Sequence, residues 1–283
     1  MEHLLQDRGA LHLSVATANL YFMPFEQALE IIAEAGFQYI ELDLFWERKE
    51  WIMAQHLKGI PASQAIQMVK RSGLVISSIH DGGGVLERDN SILGFINPSL
   101  DETLAALDYK PECLVFHTPH IEDKPDLSWW EKISGKIARS LERYRNACSC
   151  ITIENLPPFA NYSVPLTHPE ELKAFTNQHE LGITLDTTHY AQMGTDIVSA
   201  ARILSRNVRS IHLSDFISGR THVYVGEGEL NFSGFFAEID KNGLKAITLE
   251  CSFAPANQAG IHLNKAELVS GLHKARMIIT EYM

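Results

Sequence analysis

The chain has 283 residues, a length that suits one large α/β domain or two small ones. It is acidic, with 24 Lys and Arg against 35 Asp and Glu and a formal net charge of −11. Broad nucleic-acid binding relies on cations that neutralise phosphates, so this balance argues against nucleic acid as a partner. The sequence opens without a basic leader and an apolar run, and it has no apolar stretch of about 18 residues. We therefore expect a cytoplasmic protein that does not enter a membrane.

Apolar, β-branched segments alternate with helical segments along the chain. The predicted strands cover Leu11–Ala18, Gln38–Phe45, four runs that end at His80, His117, Glu154 and Asp186, then Val208–Leu213 and Ala246–Cys251. The predicted helices cover 24–35, 51–71 with a break near Gly59, a segment from Asn97 to before Lys110, Ser128–Ala147 with Ser128 as its N-cap, His168–Gln178, Asp196–Ser205, Phe232–Asn242 and Lys265–Tyr282. We expect Thr187–Tyr190 to extend the sixth strand into the next loop.

Eight strand–helix units in strict alternation indicate a parallel sheet with helices outside it. At this length they favour a (β/α)8 TIM barrel, and we expect a single domain over residues 1–283. No G-x-G-x-x-G motif follows the first strand, so no nucleotide cofactor is expected.

Six of the eight strands end in, or next to, a side chain that can bind a metal: His80, His117, Glu154, Asp186, His212 and Glu250. A charged group at the end of a buried strand is costly unless it is paired or bound to a metal. The carboxyl ends of barrel strands surround one mouth, so these side chains should converge there. Three carboxylates and one imidazole (Glu154, Asp186, His212, Glu250) suit a divalent ion such as Mn²⁺, Mg²⁺, Co²⁺ or Zn²⁺. For His80 and His117 we expect a role in binding a second metal or the substrate.

Two further histidines extend this set. His189 lies three residues beyond Asp186, and His222 begins the loop H-V-Y-V-G-E-G, whose glycines permit a tight turn close to a ligand. Glu41 and Asp43 share one face of the second strand, and the sequence leaves open whether they lie at the rim or inside the barrel.

The remaining polar and aromatic positions carry weaker expectations. The other histidines near predicted strands and loops are expected to be ordinary surface or rim residues: His12, His120 and His168. The four cysteines are expected to be reduced and to act as small core residues: Cys113, Cys148, Cys150 and Cys251. We expect Trp46–Trp51 and the loop Asn155–Ser163 to shape the pocket.

The motifs at these strand ends resemble those of the xylose isomerase-like TIM barrel superfamily. They are I-E-N (153–155), L-D-T-T-H (185–189), I-H-L-S-D (211–215), H-V-Y-V-G-E-G (222–228) and L-E (249–250). The superfamily includes sugar isomerases and epimerases, sugar-phosphate isomerases, dehydratases of the inosose type and endonuclease IV. The resemblance spans essentially the whole chain, and it is better at identifying the superfamily than at choosing among its members.

The resemblance makes Glu154, Asp186, His212 and Glu250 the shared metal ligands. In the sugar-epimerase branch it also makes Glu154 and Glu250 the acid–base pair, which removes and returns a proton beside a substrate carbonyl. His189, Arg220 and His222 would then contact substrate hydroxyls or a phosphate.

Endonuclease IV, a zinc phosphodiesterase, is the main alternative within the superfamily. The additional ligands of its three-zinc cluster match His80, His117, His189 and His222. Its D-R-H stretch, however, reads Arg220-Thr221-His222 in this chain, which replaces a ligand carboxylate with a cation. Its H-P-G-S-H loop is also one residue shorter, at 117–120.

We therefore expect a divalent-metal-dependent sugar or sugar-phosphate isomerase or epimerase. An endonuclease IV-like phosphodiesterase and an inosose-dehydratase-like lyase are the alternatives. The expected partner is a small sugar or sugar phosphate, and assembly into a homo-oligomer is left open.

Overall fold

The computed structural model describes residues 11–44, 57, 59–86, 95–122, 127–159, 161–251 and 264–283. The strands are β1 (His12–Ala16), β2 (Tyr39–Asp43), β3 (Val75–His80), β4 (Val85–Leu86), β5 (Cys113–His117), β6 (His120–Glu122), β7 (Cys150–Glu154), β8 (Tyr162–Ser163), β9 (Gly182–Asp186), β10 (Val208–Leu213), β11 (Asp215–Ile217), β12 (Arg220–Val223) and β13 (Ala246–Leu249). The predicted pocket segment Trp46–Trp51 lies outside the described residues.

Eight of these strands form a closed barrel in the order β1-β13-β10-β9-β7-β5-β3-β2, and neighbouring strands are parallel. The predicted (β/α)8 barrel is confirmed. The register places adjacent strand ends side by side, so that His117 pairs with Glu154 and Asp186 pairs with His212. The prediction that residues 1–283 form a single domain stays a prediction.

Helices connect the barrel strands and pack around them. They are α1 (Phe25–Glu34), α2 (Ala62–Arg71), α3 (Leu100–Ala106), α4 (Ser128–Leu141), α5 (Pro169–Gln178), α6 (Thr187–Gln192), α7 (Ile197–Leu204), α8 (Phe232–Glu238) and α9 (Lys265–Thr280). In α1 the buried residues Phe25, Leu29 and Ile32 recur at helical spacing, which turns one face to the barrel. At the start of α9, Asn264 and Glu267 form a reciprocal capping box.

The structure corrects several predicted boundaries. The first strand ends at Ala16, where a 3-10 turn over Thr17–Leu20 begins. Ser128 is the first residue of α4 rather than its N-cap. Thr187–Tyr190 does not extend the sixth strand, because the Asp186 carboxylate accepts a hydrogen bond from His189 N (2.7 Å) and so caps a short helix, α6.

Short strands extend the mouth of the barrel beyond the eight main strands. β4, β6 and β8 follow the ends of β3, β5 and β7 and pair with one another as a three-stranded sheet. β11 and β12 form an antiparallel hairpin after β10. The loops that surround the mouth are therefore partly ordered as sheet.

Three of the four cysteines are buried, as expected of small core residues, whereas Cys150 is half-buried; all four are free thiols in the structure. Within the described ranges, none of the helices combines the length and apolar character needed to cross a membrane.

Candidate metal centre at the mouth of the barrel

Glu154 is the centre of a cluster of imidazoles and carboxylates at the carboxyl ends of the barrel strands. Its side chain is fully buried at the end of β7. His212 Nδ1 lies 3.4 Å and His189 Nδ1 3.3 Å from Glu154 Oε1, whereas His80 Nε2 lies 3.2 Å from Glu154 Oε2. One carboxylate thus contacts side chains from three other parts of the chain, as convergence at a barrel mouth requires.

The predicted set of three carboxylates and one imidazole comes together. One ligand atom from each of Glu154, Asp186, His212 and Glu250 lies within 4.8 Å of the others, and we refer to this group as the quartet position. His212 Nδ1 is 2.8 Å from Glu250 Oε2. Glu154, Asp186 and His212 are fully buried, while the Glu250 side chain is 18% exposed and so remains open to the mouth.

His80 and His117 join Glu154 in a second group, which we refer to as the dihistidine position. The His80 and His117 Nε2 atoms are 3.0 Å apart, and His117 Nε2 is 3.7 Å from Glu154 Oε2. His117 Nδ1 donates to the carbonyl of Gly83 at 2.9 Å, which leaves a lone pair on Nε2 of the neutral ring. Gly84 allows this approach, because a Cβ there would lie 2.9 Å from His117 Cβ.

A third group contains Asp186, His189 and His222, again within 4.8 Å of one another. His189 Nδ1 lies 2.9 Å from the carbonyl of Asn155, and His222 Nδ1 lies 3.0 Å from the carbonyl of Glu250. His222 adopts φ +53°, a left-handed conformation that costs energy in a non-glycine residue and is concentrated at functional sites. The sequence pointed to substrate contacts for both histidines, and the structure adds that they share a carboxylate with the quartet position.

The atoms of the quartet position have the character of ligands rather than of hydrogen-bonded core groups. Both Glu154 oxygens, Asp186 Oδ2, Glu250 Oε2 and His212 Nδ1 are buried and have no hydrogen-bond partner among the described residues. His212 Nδ1, for example, lies 2.8 Å from Glu250 Oε2, but the two atoms are not aligned as donor and acceptor. Buried polar groups that remain unpaired are costly, and converging lone pairs are what a cation requires. The residues therefore fit a divalent metal with oxygen and imidazole ligands.

The cluster strongly shifts the pKa values of its members. Burial would raise the pKa of Glu154, but the nearby imidazoles of His212, His189 and His80 outweigh it and hold this pKa well below the usual range. Burial opposes the charged form of His80, but the neighbouring carboxylates of Asp43 and Glu154 outweigh it and raise the pKa of His80 well above the usual value. A site this dense in carboxylates therefore favours positive charge.

The pKa values of the other imidazoles depend on the charged groups next to each ring. For His212, burial is outweighed by Glu41, Glu154 and Glu250, so its pKa is raised well above the usual value. For His189, Asp186 and Glu154 outweigh burial and raise the pKa to about 9. Burial and repulsion by His80 instead lower the pKa of His117 to about 3, so this ring is neutral.

Two carboxylates of β2 lie directly beneath the cluster, and the sequence had left their position open. Glu41 and Asp43 are fully buried inside the barrel. Glu41 Oε1 is 2.9 Å from His212 Nε2, and Asp43 Oδ1 is 3.3 Å from His80 Nδ1. The alternation in E-L-D placed both on one face, but only the closed barrel shows that this face is the interior.

Arg220, predicted to bind substrate, is exposed at the start of β12. Among the described residues, no hydrogen bond or ion pair joins it to the cluster, although His222 on the same strand belongs to the third group. Its role in substrate binding stays a prediction.

Asp215 organises the loop that follows β12 by accepting hydrogen bonds from the main-chain nitrogens of Gly226, Gly228 and Leu230 at 3.0–3.1 Å.

Two histidines that were expected at the surface or rim are buried. His120 on β6 packs edge-on against Phe159 and Tyr162, with ring centroids 5.1 and 5.2 Å away. His12 stacks on Tyr39 near the start of the barrel strands, with centroids 3.9 Å apart. His168 is exposed, as expected.

Residues 29–267 match the model of the family described as Xylose isomerase-like TIM barrel. This is most of the chain, and the chain belongs to that family. No curated protein sequence matches it.

Solved structures share the fold over nearly the full length. A D-tagatose 3-epimerase-like protein has a TM-score of 0.70 at 19% identity, covering 96% of this chain and 97% of its own. A 3-keto-D-glucoside 4-epimerase from E. coli has a TM-score of 0.66 at 14% identity, covering 95% of this chain and 100% of its own. An AP endonuclease, family 2, from Brucella melitensis has a TM-score of 0.65 at 15% identity, covering 93% of this chain and 97% of its own. At these identities the similarity shows the fold alone.

Proposed function

We propose that the protein is a divalent-metal-dependent sugar or sugar-phosphate isomerase or epimerase that transfers a proton next to a carbonyl group. The observation that carries the proposal is the quartet position, in which two glutamates share one metal-binding group with Asp186 and His212. The likeness to proteins described as sugar epimerases supports the same substrate class. A cytoplasmic location and a monosaccharide-sized substrate are part of this proposal.

In this proposal Glu154 and Glu250 form the acid–base pair. Glu154 is buried and held by imidazoles, whereas Glu250 is partly open to the mouth. One glutamate removes the proton beside the carbonyl, and the other returns a proton to the same or the neighbouring carbon. A divalent cation at the quartet position would polarise the carbonyl and its neighbouring hydroxyl and so lower the barrier to proton removal. In the same proposal His189 and His222 bind substrate hydroxyls.

Deuterium exchange tests this chemistry directly. The metal-loaded protein is incubated in ²H₂O with a panel of ketoses and their phosphates, and deuterium at the carbon beside the carbonyl is measured by NMR. We expect incorporation together with formation of the epimer or isomer. Loss of water from a cyclic polyol ketone would instead identify a lyase. A broad panel without any exchange would contradict the proposal.

A second candidate is a zinc phosphodiesterase of the AP endonuclease type. The specific observation in its favour is that the dihistidine position and the third group provide two further places for an ion around the quartet position. The acidic balance of the chain and Arg220 in place of a ligand carboxylate favour a small-molecule substrate over DNA. Cleavage of a duplex that contains an abasic site, by protein loaded with Zn²⁺, would establish this alternative.

A further inference from the structure

The carboxylates of β2 are each held on one side by neutral donors. Ser78 Oγ donates to Glu41 Oε2 at 2.7 Å. Thr17 Oγ1 and Ala18 N donate to Asp43 Oδ2 at 2.9 and 2.8 Å. One oxygen of each carboxylate is thus fixed, and the second is left to face upward into the barrel.

The second oxygen of each carboxylate faces an imidazole of the cluster. Glu41 Oε1 is 2.9 Å from His212 Nε2, and the opposite nitrogen of that ring, Nδ1, is 2.8 Å from Glu250 Oε2. Asp43 Oδ1 is 3.3 Å from His80 Nδ1, and the opposite nitrogen, Nε2, is 3.2 Å from Glu154 Oε2. Both rings therefore lie between a β2 carboxylate below and the candidate metal centre above.

A neutral imidazole has one N–H and one lone pair, so the position of its proton decides which nitrogen can bind a metal. For His212 Nδ1 to be a ligand, the proton must be on Nε2, and a fully buried N–H needs an acceptor. Glu41 Oε1 and His212 Nε2 are both buried, and neither has an aligned hydrogen-bond partner among the described residues. The two atoms lie 2.9 Å apart, so an N–H on Nε2 that points to Glu41 Oε1 would satisfy both.

We propose that Glu41, and likewise Asp43, are positioning residues that hold the proton of His212 and of His80 on the lower nitrogen and direct the lone pair to the metal centre. This inference rests on the proposed role of the two histidines as metal ligands. A carboxylate behind a ligating histidine also raises the basicity of the ring and the affinity for the ion. His117, His189 and His222, by contrast, are anchored through Nδ1 by main-chain carbonyls.

The same atoms allow one competing arrangement. Glu41, His80 and His212 each offer an atom within 4.8 Å of the others, so they could enclose an ion of their own beneath the quartet position. His212 would then turn its lone pair downward, place its proton next to Glu154 and Glu250, and leave the quartet. We favour the positioning role because it keeps His212 in the quartet position. It also gives the two buried oxygens that face the rings, Glu41 Oε1 and Asp43 Oδ1, an N–H donor.

Zn²⁺ affinity is the first test, measured by competition with a chromophoric chelator on the full chain. Glu41→Met keeps the length of the side chain but removes the acceptor, and we expect it to weaken binding at the quartet position by about 10- to 100-fold. Glu41→Gln retains an amide oxygen and should restore part of this loss. Ser14→Ala is the matched control, because it removes a buried hydrogen bond to Thr248 inside the same barrel without touching a histidine. Asp43→Leu, which likewise removes the acceptor at similar size, should weaken the dihistidine position in the same way.

Ring protonation is the second test, and it uses the wild-type protein, so it does not depend on whether a variant folds. In long-range ¹H–¹⁵N spectra of the Zn²⁺-loaded protein, we expect the His212 proton on Nε2 and the metal-bound nitrogen at Nδ1. A proton on Nδ1 would overturn the inference, as would unchanged Zn²⁺ affinity in Glu41→Met. A Glu41→Met protein that loses one ion per chain, while the quartet position keeps its wild-type affinity, would show instead that Glu41 is itself the ligand of a separate ion.

Neither readout depends on turnover, so the two proposals can fail separately. If Zn²⁺ affinity depends on Glu41 but no sugar is epimerised or isomerised, the positioning role stands and the proposed function fails. If a sugar is turned over while Zn²⁺ affinity does not depend on Glu41, the positioning role fails alone.

Discussion

His80 and His117 face each other through their Nε2 atoms at 3.0 Å. Because His117 donates its Nδ1 proton to Gly83, the neutral ring turns a lone pair toward His80, and Glu154 Oε2 lies 3.2 Å from the same His80 nitrogen. Three electron-rich atoms at this spacing need a positive charge between them. In the metal-free protein a proton on His80 supplies it, and with metal present a divalent ion can replace that proton.

Removal of the His117 imidazole should therefore remove one ion. We expect His117→Ala to bind one Zn²⁺ per chain fewer than the wild type, measured by elemental analysis after dialysis, because the dihistidine position loses a ligand. His168→Ala, an exposed histidine at the start of α5, is the matched control and should bind as the wild type does. Equal stoichiometry in all three proteins would show that His117 holds no ion.

The turnover of the same His117→Ala variant distinguishes the two candidate functions. The proposed proton transfer uses Glu154, Glu250 and the quartet position, so epimerisation or isomerisation should survive with reduced rate. A phosphodiesterase that needs ions in several positions should lose its activity in this variant.

The two glutamates of the quartet position should be indispensable for turnover. We expect Glu154→Gln and Glu250→Gln each to lower kcat by about 10²- to 10⁴-fold, the usual contribution of a general acid or base. Glu229→Gln changes an exposed glutamate in the loop after the β11–β12 hairpin; it is the control and should not change kcat. An active Glu250→Gln protein would rule out the acid–base pair.

Metal binding should release protons at neutral pH. In the metal-free protein, Asp186 and Glu154 raise the pKa of His189 to about 9, so this ring is charged at pH 7. A bound cation offsets the charge of these carboxylates, lowers the pKa of His189 and expels the proton. Metal affinity should thus rise with pH, and the part of this rise that comes from His189 should level off above about 9. Calorimetry in buffers of different ionisation enthalpy would count the protons, and a count of zero at pH 7 would contradict the prediction.

The same shift makes the metal-free protein sensitive to alkali. The pKa of His189 is raised above its usual value of 6.5, so the stability it contributes is complete below about 6.5 and is lost as pH rises through about 9. Chemical denaturation of the chelator-treated protein across this window should show a falling free energy of unfolding. The metal-loaded protein should show a smaller fall, because its His189 is already neutral.

Chelation should lower the thermal stability of the protein. A ligand that binds only the folded state at about 100 times its Kd stabilises it by about 2.7 kcal/mol, which corresponds to a Tm higher by several degrees. Asp186→Asn should lose most of this metal-dependent shift. Asp196→Asn is a close control, because both aspartates cap the start of a helix but only Asp186 belongs to the quartet position. If metal raised the Tm of both variants by the same amount, the stabilising ion would not be bound at the quartet position.

The strand-end residues could be predicted because two local signals coincide at each of them. A buried strand such as β9 reads as an apolar run, and the ligand-type residue Asp186 follows at its end. The barrel geometry then fixes where such residues meet, regardless of their distance in sequence. For this reason the fold and the convergence of Glu154, Asp186 and His212 could be predicted from the sequence.

The location of Glu41 and Asp43 inside the barrel could not be predicted from the sequence, for a physical reason. They lie inside the predicted strand Gln38–Phe45 rather than at its end, although Asp43 is in fact the last residue of β2. Alternation along a strand shows which residues share a face but not which face is inside. The register that places Asp43 beside His80 is a property of the closed barrel. The capping of α6 was not predicted for a related reason. The apolar run before Asp186 does not indicate that the Asp186 carboxylate accepts a hydrogen bond from His189 N.

The sheet formed by β4, β6 and β8 has a consequence for engineering the pocket. It connects three mouth loops through main-chain pairing, so the loops that follow β3, β5 and β7 share one framework. A length change in any one of these loops would shift the other two. Attempts to redirect the protein to another substrate should therefore exchange the three loops together, as one interchangeable cassette.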